Sequence, residues 1–380
     1  MKTAKIFIAF IMLSVFMTNM AAQEGVERTL LFSPGDYGSR NYRIPAVITA
    51  SDGSIVSFTD RRKFSEADLP EDIDIVCRYS TDNGRTWSEP VVVAEGKGRG
   101  AGYGDCAVSR AADDNVLIAV FVGGCGLWES TADNPQRSYM VLSYDNGRTW
   151  SEPRDITPYI FGKDCPDPVR QTWRASFFGS GNGLVTRNGR VMFVAAVREN
   201  DEYKLNNYVV YSDDNGETWH LSQRASQGGD EAKVTELADG SILMSIRHSG
   251  KRWYNISHDG GISWNDTVSE WDDLTGPACN GDMIRYSFAD GIGKRDILLH
   301  SLPQGDTRRD VSVYYSLDEG STWHLGKCVV PRYSAYSSLC VLQDGTIGLY
   351  VEEKQHDEDG YEMVFYRFDP DWLMNGKLSD

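Results

Sequence analysis

Four regions of the sequence place charged or phenolic residues where the chain departs from its own repeated pattern. Guanidinium groups bind carboxylates through charge-assisted hydrogen bonds, and carboxyl and phenol groups can move protons during a reaction. Taken singly, an arginine at a strand start usually lies at the surface, and a lone tyrosine usually packs in a turn. The residues are Arg43 in NYRIPAVI, Asp68 in SEADLPEDIDI, Glu231 and Arg247 in DEAKVTELADGSILMSIRHSG, and, in the fourth region, Arg308 in GDTRRDVSVYY with Tyr336 in the PRYSAYSSL that follows. Because they recur at comparable places relative to the repeats, we expect them to share one site.

A repeated turn motif indicates the elements that must position these residues. Ser-x-Asp-x-Gly-x-Thr/Ser-Trp, called the boxed turn below, occurs five times, at 80–87, 143–150, 212–219, 257–264 and 316–323. Each copy joins two β-like segments, so it predicts a hairpin in which Asp bonds the backbone, Gly supplies positive φ and Trp packs against neighbours. The motif also resembles a calcium loop, but the bidentate Glu and remaining ligands are missing. We interpret the boxed turns as framework without a metal.

A second series of turns alternates with the boxed turns and completes the architecture. These turns lie at Asp52, Asp114, Asn188, Asp239, Asp290 and Asp344. The two series together predict an all-β fold, a six-bladed β-propeller of about four strands per blade. RTLLFSP near the start and EMVFYRFDPDWL near the end are both strand-like. Pairing them in one blade would close the ring and remove an open edge.

The start of the chain predicts export. Lys2 and Lys5 precede an apolar run, and Ala21 and Ala22 follow it, which is typical of a cleaved secretory signal at 1–22. We expect one mature domain at 23–380, secreted or periplasmic, without stable membrane insertion. The net charge of −17 argues against nucleic acid as a partner. The negative net charge still allows a small anionic substrate, provided that positively charged side chains are concentrated at its binding site.

The seven cysteines show no CxxC or Cys/His spacing, so the sequence predicts no zinc site. We expect no cofactor of any kind. Either the thiols are buried and unpaired, or export allows disulfides, in which case Cys328 and Cys340 could face each other on neighbouring strands.

The YRIP motif around Arg43, together with five boxed turns, resembles the exo-sialidases (neuraminidases) of bacteria and animals. The resemblance covers essentially the whole mature chain. It implies a six-bladed propeller that hydrolyses terminal α-linked sialic acids from glycoproteins, glycolipids and oligosaccharides. It also implies that three arginines clamp the sialic acid carboxylate, at positions matching Arg43, Arg247 and Arg308, with Arg309 as the rival of Arg308.

The same resemblance assigns the catalytic roles. Asp68 matches the acid/base residue, with Asp72 and Asp74 as weaker rivals. Glu231 matches the base, and Glu236 a second, structural member of its motif. The matching nucleophile is Tyr336, in SAYSS.

The chemistry explains why a tyrosine is suited to this role. The carboxylate on the anomeric carbon repels the Asp or Glu nucleophile of most retaining glycosidases, whereas a neutral phenol avoids that repulsion. Tyr336 would then need Glu231 to accept its proton. Asp68 would have to be protonated before the reaction begins, which requires a pKa raised by partial burial.

The resemblance leaves some questions open. Where the family often has Asp-Pro-Ser, this chain keeps Asp105 within GYGDCAVSR but changes the rest, so the preferred sialic acid is undetermined. Two alternatives are an enzyme that hydrolyses or transfers a related 2-keto sugar acid, and a non-catalytic glycan-binding propeller. The second predicts loss of the tyrosine, the glutamate or an arginine, and this sequence keeps them all.

Overall fold

A computed structural model describes residues 25–113, 115–290 and 295–377. The predicted signal segment 1–22 and the turn residue Asp114 lie outside the described residues. Regular structure in the described ranges is almost entirely β-strand. In these ranges, no helix has the length and apolar character needed to cross a membrane.

The strands follow one another along the chain with short connections. They are β1 Val26–Phe32, β2 Asn41–Thr49, β3 Ile55–Arg62, β4 Ile73–Ser80, β5 Val91–Ala94, β6 Tyr103–Arg110, β7 Leu117–Gly123, β8 Arg137–Ser143, β9 Arg154–Asp155, β10 Ala175–Phe178, β11 Gly181–Asn182, β12 Leu184–Val185, β13 Val191–Arg198, β14 Asn206–Ser212, β15 His220–Leu221, β16 Ser226–Gln227, β17 Ala232–Glu236, β18 Ile242–Ile246, β19 Gly250–Ser257, β20 Ser269–Gly276, β21 Asp282–Ser287, β22 Ile297–Leu302, β23 Arg309–Ser316, β24 His324–Val341, β25 Ile347–Lys354 and β26 Glu362–Phe368. Two short α-helices, α1 Thr157–Ile160 and α2 Pro370–Met374, and 3₁₀ turns at Asp36–Gly38 and Arg170–Thr172 complete the structure.

The strands form six blades, and within the described ranges their neighbours are antiparallel except for the parallel pair β6 and β11. Blade 1 contains β2 to β5, blade 2 contains β6 to β9 with β11, blade 3 contains β10 and β12 to β16, and blade 4 contains β17 to β20. Blades 5 and 6 form one continuous sheet, because the long strand β24 pairs with β23 over its first part and with β25 over its second. The predicted six-bladed β-propeller is confirmed.

The ring closes as the two ends of the sequence predict. β1 pairs antiparallel with β26, with Val26 opposite Phe368, so the start of the chain supplies the outer strand of blade 6. Inner strands contact those of neighbouring blades, as β2 contacts β6 and β24, and β17 contacts β12 and β21. Apolar side chains fill the space between blades, for example Phe58 of blade 1 and Phe121 of blade 2 in one buried cluster.

The boxed turns lie between the third and fourth strands of their blades, at the outer rim. In the first, the Ser80 hydroxyl donates to Asp82 at 2.8 Å, and the backbone N–H and hydroxyl of Thr86 donate to the same carboxylate at 2.8 and 2.6 Å. The other four turns repeat this network. A Cβ added to Gly84 would lie 2.4 Å from Phe365 of blade 6, so the turn packs directly on the preceding blade.

All seven cysteines are unpaired in the structure. The suggested facing of Cys328 and Cys340 is wrong, because both residues lie on the single strand β24. A strand cannot fold back on itself to bring two of its own residues opposite each other, so these thiols have no route to a mutual disulfide.

Candidate active site

A cavity of about 350 Å³ is lined by side chains from all six blades. All six residues predicted from the sequence line it, and none of the five boxed-turn aspartates does. The lining consists of Arg43, Ile44, Asp68 and Leu69 of blade 1, Asp105, Leu127, Trp128 and Gln136 of blade 2, Phe177 of blade 3, Glu231 and Arg247 of blade 4, Arg308 of the loop before β23 and Tyr336 of blade 6. The repeats and the cavity are therefore separate parts of the molecule.

Arg43 is held in place by a bulge and a buried carboxylate. The pairing of β2 with β3 shifts between Arg43 and Ala46, and Ile44 there adopts a positive φ of 65°, which is rare for a β-branched residue. Glu352 of β25 binds the guanidinium twice, at 2.9 Å to Nε and 3.0 Å to Nη2, and accepts the Ile44 N–H at 2.7 Å. Because Glu352 is completely buried, it fixes Arg43 rigidly.

Tyr336, Glu231 and Arg247 form a compact hydrogen-bonded group. The Tyr336 hydroxyl donates to Glu231 Oε2 at 2.7 Å, and Arg247 Nη1 donates to the phenol oxygen at 2.9 Å. Arg247 also forms an ion pair with Glu231. The β17–β18 hairpin explains this proximity, because the Arg247 N–H donates to the Glu231 carbonyl across it at 2.8 Å. Tyr336 reaches the group from β24.

Burial governs the protonation of this group. Desolvation raises the pKa of Tyr336 well above its ordinary value, the Glu231 carboxylate raises it further, and Arg247 opposes both. Desolvation also raises the pKa of Glu231, which makes it a better proton acceptor, although Arg247 opposes that shift. In this resting state the proton lies on the phenol and the carboxylate is placed to take it.

The three arginines converge on Tyr336. The guanidinium carbons of Arg43 and Arg308 each lie 5.3 Å from the centre of the Tyr336 ring, while Arg247 binds the hydroxyl. Arg308 is half-buried and donates to the Ala278 carbonyl at 3.3 Å. Three guanidinium groups thus surround one phenol, and the Glu352 and Glu231 carboxylates balance the charge of Arg43 and Arg247.

The rival arginine takes a different position. Arg309 begins β23, lies opposite Tyr333 of β24, and stacks over the Tyr333 ring at 4.3 Å. It does not line the cavity, whereas Arg308 does. Arg308 ends the loop before β23 and Arg309 is the first residue of the strand, and successive side chains of an extended chain point to opposite sides, so only one of the two reaches the site.

Asp68 lines the cavity, but it is more exposed than the sequence analysis expected. Its side chain is 77% exposed and forms an ion pair with the buried Arg62. The expected partial burial is wrong for the unliganded protein, because the loop between β3 and β4 carries the side chain out at the cavity edge.

The rivals of Asp68 lie outside the cavity. Asp72 and Asp74 both bind Lys63, at 3.0 and 2.9 Å, and Asp74 also binds Arg61. Glu236 likewise lies away from the cavity, where it accepts the Arg187 backbone N–H at 2.7 Å. These contacts are structural, as expected for Glu236.

Two further carboxyl groups lie beside the cavity. Desolvation raises the pKa of Asp60 to about 7, with Arg62 opposing, and it raises the pKa of Asp105 well above its usual range. Asp105 reaches the cavity from within β6, where its backbone has a φ of 58° at the bulge that shifts the register of β6 against β7. Sequence reasoning singled out Asp105 only as a retained residue and missed Asp60, Arg62 and Glu352. The signal available was a charged residue inside an apolar strand, such as Glu352 in IGLYVEEK.

An apolar wall formed by Leu127, Trp128 and Phe177 faces the arginines across the cavity. Trp128 stacks on Tyr203 with ring centres 4.8 Å apart. Leu127 and Trp128 come from the loop between β7 and β8, and Phe177 comes from the short strand β10. Neither segment carries a repeat or spacing that could have identified these residues.

Comparison with known proteins agrees with this geometry. A family model described as a BNR repeat-like domain matches residues 64–349. A sialidase of Micromonospora viridifaciens is 34% identical over 342 residues, covering 84% of this chain and 50% of that protein. The chain belongs to the sialidase family. A second sialidase, from Bacteroides fragilis, is 27% identical over 361 residues, covering 88% of this chain and 65% of that protein. The chain thus spans one half to two thirds of the length of these two sialidases.

Solved sialidase structures show the same architecture. Hadza microbial sialidase Hz136 is 28% identical with a TM-score of 0.77, covering 90% of this chain and 68% of that one. A leech intramolecular trans-sialidase, solved with 2,7-anhydro-Neu5Ac, is 18% identical with a TM-score of 0.77, covering 93% of this chain and 71% of that one. At that identity the second likeness concerns the fold alone.

Proposed function

We propose that this protein is an exo-sialidase that removes terminal α-linked sialic acids from glycoproteins, glycolipids and oligosaccharides. The observation that carries the proposal is the convergence of Arg43, Arg247 and Arg308 on the Tyr336–Glu231 pair in one cavity. The sialidases among the relatives support the same substrate class.

The arginines account for recognition of the sugar acid. Sialic acid carries its carboxylate on the anomeric carbon, so guanidinium groups that bind the carboxylate also orient the bond to be broken. Arg43 is held by Glu352 at two nitrogens, which leaves Nη1 of its guanidinium for the substrate. The carboxylate and the anomeric carbon would lie above the phenol.

In the proposed first step, the Tyr336 oxygen attacks the anomeric carbon as its proton passes to Glu231 Oε2, 2.7 Å away. The bond to the leaving oxygen breaks, and Asp68 donates the proton which that oxygen takes up. The product is a covalent sialyl–Tyr336 intermediate and a released aglycone alcohol.

In the second step, Asp68, now ionised, removes a proton from water as the water oxygen attacks the anomeric carbon. The bond to Tyr336 breaks, and the phenol recovers its proton from Glu231. Two displacements at the same carbon return the configuration of the substrate. A sugar bound over the cavity would also cover Asp68, whose side chain is exposed in the free protein.

The decisive experiment offers a fluorogenic aryl sialoside and its 2-keto-3-deoxy analogues in parallel, with NMR of the first sugar formed. We expect turnover of the sialoside and release of sialic acid with retained configuration. Faster turnover of an analogue would identify another 2-keto sugar acid as the preferred substrate. An anhydro sugar or a sialylated acceptor would establish transfer instead of hydrolysis, and binding without turnover would establish a non-catalytic propeller.

Export is part of the proposal, since the substrates named lie on secreted and cell-surface glycoconjugates. It rests on the signal predicted at 1–22, which leaves one catalytic domain at 23–380. N-terminal sequencing of the protein recovered outside the cytoplasm should begin near Gln23.

A further inference from the structure

A second cleft lies on the same end of the propeller as the candidate active site. Its volume is about 610 Å³, within the size range of small-molecule sites. It is formed by the loop between β5 and β6, by the first residues of β6, and by the loop between β7 and β8. Tyr103 of its lining is two residues from Asp105, which lines the active-site cavity.

One thin wall separates the cleft from the active site. Leu69 lines the active-site cavity, and the next residue, Pro70, lines the cleft. The wall is anchored on the cleft side, because the Gly100 N–H donates to the Pro70 carbonyl at 2.6 Å. A Cβ added to Gly126 would lie 2.7 Å from the Leu69 carbonyl, so the β7–β8 loop packs against the wall as well.

Asp68 directly precedes the two wall residues, so its position shows on which side of the reacting bond the cleft lies. In the proposed function Asp68 protonates the leaving oxygen, so the departing sugar must lie on the Asp68 side of the cavity. Sugars attached beyond it would cross Leu69 and Pro70. The cleft is the next recess in that direction.

The lining suits a ligand rich in hydroxyl groups. Within the described ranges, no protein group bonds the hydroxyls of Tyr103 and Tyr139, the Lys97 ammonium or the Glu129 carboxylate. Sugar hydroxyls both donate and accept, so ammonium, carboxylate and phenol can each bind one. The two tyrosine rings add apolar surface for the C–H faces of a sugar.

The charges of the cleft favour a neutral sugar over a second acidic one. Two of its cations are already paired, Arg99 with Glu71 and Arg137 with Asp155 at 2.6 Å. Lys97 and Glu129 remain, and their charges cancel. The unpaired groups of the cleft therefore carry no net positive charge that would favour an acidic sugar.

We propose that this cleft is an aglycone subsite that binds the neutral sugars of a sialylated oligosaccharide beyond the bond to be cleaved. The inference rests on the proposed function and adds to it a preference for extended glycan chains over small aryl sialosides. The residues of the cleft bind the oligosaccharide that is released and take no part in breaking the bond.

The test compares kcat/KM for a sialylated tetrasaccharide, in both the α2,3 and α2,6 linkages, with kcat/KM for an aryl sialoside. The variants are Ala101→Trp, which fills the cleft from an exposed loop position, and Lys97→Ala, with Lys163→Ala as a matched exposed lysine outside it. The ratio of the two values corrects for any general loss of folded enzyme. We expect Ala101→Trp to lower the ratio about tenfold and Lys97→Ala about fivefold, the scale of one or two lost hydrogen bonds. Lys163→Ala should leave it unchanged.

An equal ratio in wild type and both cleft variants overturns the subsite. A wild-type protein that turns over neither the tetrasaccharide nor the aryl sialoside contradicts the proposed function itself, and the subsite defined by that reaction is then contradicted as well. Saturation-transfer NMR with the free asialo-trisaccharide gives a readout independent of turnover. Signal transfer in wild type and its loss in Ala101→Trp is the expected result, and equal transfer in both contradicts the proposal.

Discussion

The boxed turns at the rim and the cavity at the axis are stabilised by opposite kinds of contact. In a boxed turn the key bonds join residues at most four positions apart, as between the exposed Thr86 and the partly exposed Asp82. In the cavity, Tyr336 bonds Glu231 across 105 positions and Arg43 bonds Glu352 across 309. Local contacts can be copied from blade to blade, whereas long-range contacts occur once. Repetition in this chain therefore marks structure, and departure from repetition marks chemistry.

The largest effect that this comparison predicts is at Tyr336. Tyr336→Phe removes one oxygen and leaves the arginines and the cavity shape in place. We expect kcat to fall about 10³-fold or more with little change in substrate binding, as for a lost nucleophile. Steady-state kinetics with an aryl sialoside measures this.

Tyr361→Phe is the matched control, because Tyr361 also packs against Arg43, with its ring centre 5.2 Å from the guanidinium carbon, but does not line the cavity. Its kcat should stay close to wild type. A Tyr336→Phe enzyme with near-normal kcat and retained product configuration would make Tyr336 a bystander.

Arg308 and Arg309 are neighbours in sequence, but only Arg308 lines the cavity, so the two variants test whether the effect on substrate binding is confined to the cavity. Arg308→Ala should raise KM about 10- to 100-fold, because a charge-assisted bond to the substrate carboxylate contributes roughly 1.5–3 kcal/mol. Arg309→Ala loses only stacking on Tyr333 and should change KM less than about twofold. Steady-state kinetics of both variants with one substrate measures the two KM values. A larger rise in KM for Arg309→Ala than for Arg308→Ala would contradict the proposal that Arg308 binds the carboxylate.

A substitution in a boxed turn should affect stability and spare catalysis. Asp145→Ala removes the acceptor of Ser143 and Thr149 and should lower the free energy of unfolding by about 1–2 kcal/mol. KM and kcat at 25 °C should not change. Thermal unfolding and kinetics measure the two quantities, with the exposed Glu152→Ala in the same loop as the control. A large change in KM without loss of Tm would break the distinction between rim and axis.

The smallest predicted effect is on the pH dependence of stability, and it comes from the buried His300. Desolvation, reinforced by Arg252, lowers its pKa well below the ordinary value, and its Nε2 bonds Ser245 at 2.9 Å. The unfolded chain therefore binds the proton more readily than the folded protein. His300 stabilises the fold fully above about pH 6.5, and this contribution is lost as pH falls below that value, by at most about 1.4 kcal/mol per pH unit.

Tm measured between pH 7.5 and 5 should consequently fall less steeply for His300→Gln than for wild type. His356→Gln, at an exposed position, should follow the wild-type slope. Identical slopes for all three proteins would contradict the role of His300.

Much of the fold could be predicted because it rests on local signals. Asp-Gly and boxed turns mark hairpins wherever they occur, and counting them gave the six blades and the closing pair of end strands. The lining of the site required more, because six residues far apart in sequence had to be chosen by resemblance to a family. Glu352 stands out as a charged residue in an apolar strand, but nothing near it in the sequence indicates that its partner lies 309 residues earlier. The exposure of Asp68 depends on the path of a single loop, which the sequence pattern does not encode.

The pairing of β1 with β26 has a consequence for how the protein is made. A chain emerges from the ribosome from its N-terminus, so β1 is available long before the strand it must pair with. The same holds for Arg43, which waits for Glu352 until most of the remaining chain has been synthesised. Arg43, the first of the three cavity arginines to be translated, is thus among the last to be fixed in place, and a chain cut short before β25 would carry Arg43 without Glu352.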